Sequence, residues 1–127
     1  MRDYKKYYTI PATPEEIFIA LTNPFTIELW SGYKAVMDDK SGTEFSLWEG
    51  DISGKNIEIE KDKKIVQEWF FGEQENKSIV TIKIFEKKGG SQIELSHTNI
   101  PDEIFDNIIH GWDEYYFGAL QSFFEEE

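Results

Sequence analysis

Cysteine is missing from this 127-residue chain, which removes disulfide staples and thiol chemistry and fits a reducing compartment. Histidine is nearly missing. Only His97 and His110 occur, with no clustered carboxylates at ligand spacing, so no metal site is expected. No apolar run approaches the length of a membrane span, and Met1-Arg2-Asp3-Tyr4-Lys5-Lys6 lacks the apolar core of a secretory signal. The chain is read as cytoplasmic, with no membrane partner. Positive charge is scarce: 13 Lys and Arg stand against 25 Asp and Glu, for a net charge of −12. That balance argues against nucleic acid, because phosphate binding is driven mostly by Lys and Arg. Catalytic signatures are also wanting. There is no Gly-x-Ser-x-Gly elbow, no phosphate-cradling glycine loop and no cysteine nucleophile. No cofactor is expected, and an acid–base pair such as His97 with Tyr116 is what a cyclase-like activity would draw on.

What the chain does have is a long helical pattern at its end. From Pro101 to about Phe124, Ile108, Ile109, Trp112, Tyr116, Ala119, Leu120 and Phe123 recur at three- and four-residue steps, which lays them along one helical face. Pro101 suits a first helical turn, and Asp102 and Glu103 place negative charge at the positive end of the helix dipole. At about 1.5 Å per residue the helix would be roughly 35 Å long, enough to cross a small domain. Glu125, Glu126 and Glu127 stand where a helix disfavours negative charge, so that end is expected to fray. No Lys or Arg follows Pro101, so the outer face is an acidic strip that serves solubility or docks a basic partner. Phe117 and Phe124 are expected on the exposed side, as frayed helix surface or as an interface.

Upstream, residues 3 to 10 suit a first strand with one buried face. Thr13-Pro14-Glu15-Glu16 is a capping box, and Ile17, Phe18, Ala20 and Leu21 give the helix it starts an apolar side. Asn23-Pro24 ends that helix and begins another carrying Ile27, Leu29 and Trp30, which Ser31-Gly32 stops. The period then changes to two. Strands are expected at 35–38, 44–48, 52–60, 64–71, 78–86 and 91–98, joined by turns too short for parallel crossovers. Alternation places Ile57 and Ile59 on the dry face with Ile65, Gln67, Trp69 and Phe71, then Val80, Ile82 and Ile84, then Ile93, Leu95 and His97. Asn56, Glu58 and Glu60 fall on the wet face.

These elements describe one domain over 1–127 of the α+β class. A curved antiparallel sheet of about seven strands, in the order β-α-α-β-β-β-β-β-β-α, needs a cover for its dry face, and the last helix is the one element able to supply it. This is a helix-grip arrangement.

Phe45 through Asn56, Lys63-Lys64-Ile65-Val66-Gln67-Glu68-Trp69, Ile100-Pro101, Gly111-Trp112 and Tyr115-Tyr116 carry a resemblance in their order and spacing. The chain resembles the START-like (SRPBCC, helix-grip) superfamily, and within it the C-terminal-domain family named for the activator of the heat-shock-protein-90 ATPase. The resemblance implies a cavity between sheet and last helix, where relatives hold sterols, lipids, hormones or polyketides. It also implies a co-chaperone reading with a heat-shock-protein-90 homologue as partner. The 127 residues leave no room for the separate N-terminal domain that is the main chaperone contact in the name-giving protein, so ATPase stimulation is not expected.

The inward aromatics Trp30, Phe45, Trp69, Phe71, Trp112 and Tyr116 are the candidate walls of a ligand site. Ile59, Ile82, Ile84, Leu95 and Ile109 complete the apolar lining, and His97 is either a hydrogen-bonded core residue or a polar anchor. Burying each aromatic removes roughly 150 to 250 Å² from water, a driving force that serves a closed core equally well. Gly111 beside Trp112 marks a bend or a close approach, and Glu49 and Asp51 sit in a turn able to reach a pocket mouth. The reading drawn from the sequence is a non-catalytic domain that binds a small hydrophobic ligand. A co-chaperone-like adaptor is the second reading, and a cyclase or lyase the third.

Overall fold

Local chemistry sets the first quarter of the chain in the computed structural model, which describes Met1–Glu125. The expected fraying at Glu126 and Glu127 lies outside the described residues. Strand β1 is Arg2–Ile10, and Pro11, which has no backbone donor, follows it. Helix α1, Pro14–Thr22, starts on the expected capping box: Thr13 Oγ1 accepts from the Glu16 amide at 3.2 Å while Glu16 Oε1 accepts from the Thr13 amide at 3.0 Å. Asn23 closes α1 and caps α2, Pro24–Ser31, by accepting from the Thr26 amide at 3.1 Å. Gly32, left-handed at φ 84°, ends α2. Ile27 and Trp30 turn into the core, but Leu29, expected beside them, is exposed. Positions three apart share a helical face that the residue between them cannot reach.

The sheet holds β1 with β2 (Glu44–Leu47), β3 (Ile52–Glu60), β4 (Lys64–Trp69), β5 (Ser78–Lys87) and β6 (Gly90–Ile100). The order is β1-β6-β5-β4-β3-β2, antiparallel throughout. Six strands therefore form where seven were expected. The 35–38 stretch makes only a bridge from Val36 to Ser46, because the Asp38 carbonyl is taken up by the Asn56 side chain rather than by a neighbouring strand.

A second departure lies in β3. Asn56 pairs with Gln67 but Glu58 pairs with Val66, so Ile57 is the extra residue of a bulge. Gly54 and Asn56 point inward before the bulge and Ile59 after it. Ile57, expected on the dry face, is 44% exposed, and Asn56, expected wet, is fully buried. One inserted residue exchanges the two faces. Elsewhere alternation holds: Ile65, Gln67, Trp69, Val80, Ile82, Ile84, Ile93, Leu95 and His97 are all buried.

The C-terminal segment lies on the dry face, but it is not one uniform helix. A 3₁₀ turn at Asp102–Ile104 leads into α3, Phe105–Gly111, then a π-helical turn at Trp112–Tyr116, then α4, Phe117–Glu125. Pro101 precedes these turns in an extended conformation rather than opening the first of them. The π turn inserts one residue into the helical repeat, so Trp112 and Phe117, five apart, share the buried side and stack at 5.6 Å. Phe117 and Phe124, expected outside, are consequently buried, while Ile109 and Phe123 are half-buried. Gly118 permits the turn, because a Cβ there would run into the Asp113 carbonyl oxygen. Asp113 in turn ties the π segment to β1, accepting from Lys6 Nζ and from the Tyr8 hydroxyl at 2.7 Å each. Among the described residues no helix is long and apolar enough to cross a membrane.

Candidate functional site

Packing leaves an opening at one end of the grip. Over most of the sheet the space beneath the helix is filled: Phe45, Ile82, Ile84 and Leu95 belong to a continuous core, with Ile59 and Phe71 half-buried against it. The opening is a cleft of about 710 Å³, within the range of small-molecule sites. The helix contributes Ile108, Gly111, Trp112, Tyr115, Tyr116 and Ala119; the turn after β2 contributes Trp48, Glu49 and Asp51; β4 contributes Trp69 and the end of α2 contributes Ser31. Of the residues expected at a ligand site, Trp69, Trp112 and Tyr116 stand on its wall. Trp30 stands behind it, donating Nε1–H to the Ala20 carbonyl at 2.8 Å and packing on Tyr116 at 5.2 Å. Ile109 is on the helix but off the wall.

Two buried hydrogen-bond chains fix the tryptophans of the wall. Trp112 Nε1–H donates to His97 Nδ1 at 3.1 Å, which leaves the ring proton on Nε2, 2.8 Å from Ser78 Oγ; the serine hydroxyl then donates to the Thr98 carbonyl at 3.1 Å. Trp69 Nε1–H donates to Gln67 Oε1 at 2.9 Å, Gln67 Nε2 donates to Asn56 Oδ1 at 2.9 Å, and Asn56 Nδ2 donates to Thr43 Oγ1 at 3.1 Å. Each indole is thereby held in one orientation, and the two stack at 4.8 Å. Burial lowers the His97 pKa to about 3, so the ring is neutral and accepts from Trp112 at ordinary pH. It lies wholly inside the core, as a hydrogen-bonded structural histidine.

Tyr116 differs from these partners. Its side chain is almost fully buried, its ring packs on Trp112 at 4.6 Å and on Trp48 at 5.9 Å, and its hydroxyl has no hydrogen-bond partner among the described residues. Burial alone drives its pKa well above the usual phenol value, so it is an uncharged donor on the wall of the cleft. Behind it, Asp113 experiences burial that pushes its carboxyl up, but the hydrogen bonds from Lys6 and Tyr8 and the Lys6 charge outweigh that and hold it below the usual range. The π turn therefore rests on an ionised carboxylate.

The turn closing the cleft is strained. Trp48 and Glu49 have φ of 49° and 55°, the left-handed region that residues other than glycine rarely adopt, and Gly50 follows at 101°. This conformation turns the Trp48 ring toward Tyr116 and leaves Glu49 and Asp51 exposed at the mouth. Sequence reasoning placed the two carboxylates there but missed Trp48, which no alternation pattern marks, and missed Asn56 and Ser78 as the mounts. Gln67, inward and in need of a partner, was the signal for Asn56. No group of described residues is arranged to hold a metal ion.

Comparison with known proteins gives this geometry a context. The family model described as Activator of Hsp90 ATPase homolog 1-like protein matches residues 11–125. The human protein named Activator of 90 kDa heat shock protein ATPase homolog 1 is 23% identical over 118 residues, which are 91% of this chain but 35% of that relative. The chain thus spans about a third of the curated relative. A solved structure described as an HSP90 activator from Plasmodium falciparum is 28% identical, superimposes with a TM-score of 0.88, and is matched over 97% of this chain and 96% of that one. A solution structure described as the Aha1 dimer from Colwellia psychrerythraea shares the fold at a TM-score of 0.86 and 15% identity, over 98% and 97% of the two chains.

Proposed function

Because the chain belongs to the family of Activator of Hsp90 ATPase homolog 1-like proteins, we propose that it is a START-like binding domain whose cleft takes a small, largely apolar molecule without transforming it. The observation that carries this reading is an aromatic cleft whose tryptophans are already locked in place by buried hydrogen bonds, with the Tyr116 hydroxyl on its wall bonded to no protein group among the described residues. That hydroxyl is free to donate to an acceptor on a bound molecule. Preformed walls also lower the entropy lost on binding.

Gly111 supplies the test. It is helical, at φ −61° and ψ −42°, it lines the cleft, and a Cβ there would meet nothing within 4 Å. Gly111→Leu is expected to keep the fold, with stability unchanged or raised by about 1 kcal/mol through helix propensity, while its side chain fills the cleft. Nile red should bind the parent protein with amide shifts confined to Trp48, Trp69, Trp112 and their neighbours, and should be lost from the variant. Shifts scattered over the outer surface, or equal binding by both proteins, would reject the cleft as the site.

A second reading is favoured by the relatives' names and by the helix surface, which has acids but no Lys or Arg after Pro101. In it the domain docks on a heat-shock-protein-90 homologue through that strip. Complex formation at micromolar concentration, weakened by added salt, is expected; a pull-down without a complex, or one insensitive to salt, would remove this reading and leave the cleft untouched.

A further inference from the structure

The charge pattern of the cleft narrows its occupant. Six of its lining residues are aromatic, two are carboxylates, and none is Lys, Arg or His. Glu49 and Asp51 stand exposed at the mouth, and neither is in an ion pair among the described residues. Trp112 is stacked on Trp69 and Phe117 and almost fully buried, so the ring surface open to the cleft comes from half-buried Trp48 and from exposed Tyr33 and Tyr115. Accessible ring faces present negative electrostatic potential, which attracts an organic cation and is indifferent or repellent to a neutral or anionic group. The strained left-handed turn points the same way. Trp48 and Glu49 adopt φ values that a relaxed turn would avoid, and the result is that one ring face and two free carboxylates border the same opening.

Resting on the reading of the cleft as a ligand site, we propose that its ligand is an organic cation, an amine or quaternary ammonium group carried on a small apolar body. The cationic head sits against the Trp48 ring at the mouth, with Glu49 and Asp51 steering it from the rim. The Tyr116 hydroxyl donates to an acceptor elsewhere on the ligand. Anionic lipids and fatty acids are disfavoured, because no basic side chain lines the cleft to hold a carboxylate or phosphate.

A series of probes with one shape and three charges tests this. Choline carries the positive head, dimethylbutanol is its uncharged carbon isostere, and tert-butylacetate is the anionic counterpart. Titrations are followed by the indole N–H resonances of Trp48, Trp69 and Trp112. Choline is expected to bind about tenfold more tightly than the alcohol, with tert-butylacetate weakest. Added salt should narrow the gap, as should Glu49→Gln with Asp51→Asn, without abolishing it, because the ring faces remain. Equal binding of choline and the alcohol, or tighter binding of the anion, would overturn the cation assignment while Nile red binding kept the cleft as a site. Failure of all three probes together with Nile red would remove both proposals.

Discussion

Lowering the pH from 7 to 4 will destabilise this protein far more than a variant in which His97 is replaced by glutamine. The folded ring has a pKa of about 3, below the ordinary value of 6.5, because burial disfavours its charged form. Between those two values the unfolded chain binds a proton that the folded chain does not, so stability is full above about pH 6.5 and falls as the pH drops toward 3. The slope is about 1.4 kcal/mol per pH unit, or roughly 3 kcal/mol by pH 4. Protonation also makes both ring nitrogens donors, so His97 Nδ1 can no longer accept from Trp112 Nε1, and the bond joining the helix to the sheet is lost. Glutamine can accept from Trp112 and donate to Ser78 at every pH. Urea unfolding of the two proteins across this range should give curves that converge on acidification; parallel curves would show that His97 does not titrate with folding. Carboxylates such as Asp113 lose their native partners at lower pH in both proteins, and that contribution cancels in the difference.

The same histidine shows what kind of information the sequence carries. Its position, on the dry face with Ile93 and Leu95, follows from alternation, which reports the direction of a side chain and nothing about its neighbours. Its partners, Trp112 and Ser78, lie 15 and 19 residues away and are joined to it only by tertiary packing. Periodicity also fails wherever a single residue is inserted. The bulge at Ile57 and the π turn at Trp112–Tyr116 each shift the phase by one, and each is held by something distant: Asn56 bonding Gln67 and Thr43, and Asp113 bonding Lys6 and Tyr8. The grip itself was legible because long strands, caps and a terminal apolar stripe are local properties. The walls of the cleft were legible in Trp69, Trp112 and Tyr116, and its mouth in Glu49 and Asp51. Trp48, delivered by a left-handed turn, has no periodic signature.

Gly54→Ala should cost about 3 kcal/mol or more, a large share of the stability of a domain of this size. In β3, Gly54 pairs with Phe45 on one side and Trp69 on the other, and a methyl group there would collide with the Glu68 carbonyl oxygen and lie 2.8 Å from the Phe45 ring. The ring could shift, but the carbonyl belongs to a central strand whose pairing would have to open. The damage should also reach the cleft, since Trp69, next to Glu68, carries one of its walls. Gly111→Ala is the control that separates close packing from a general dislike of losing glycine. Gly111, where the sequence suggested a bend or a close approach, has helical φ and ψ at the start of the π turn and empty space at its Cβ position, so alanine there should stabilise by about 0.5 to 1 kcal/mol. Thermal unfolding of the pair should therefore move in opposite directions. A Gly54→Ala protein as stable as its parent would mean that β3 and β4 do not approach as closely as described, and the orientation of Trp69 that depends on that approach would fall with it.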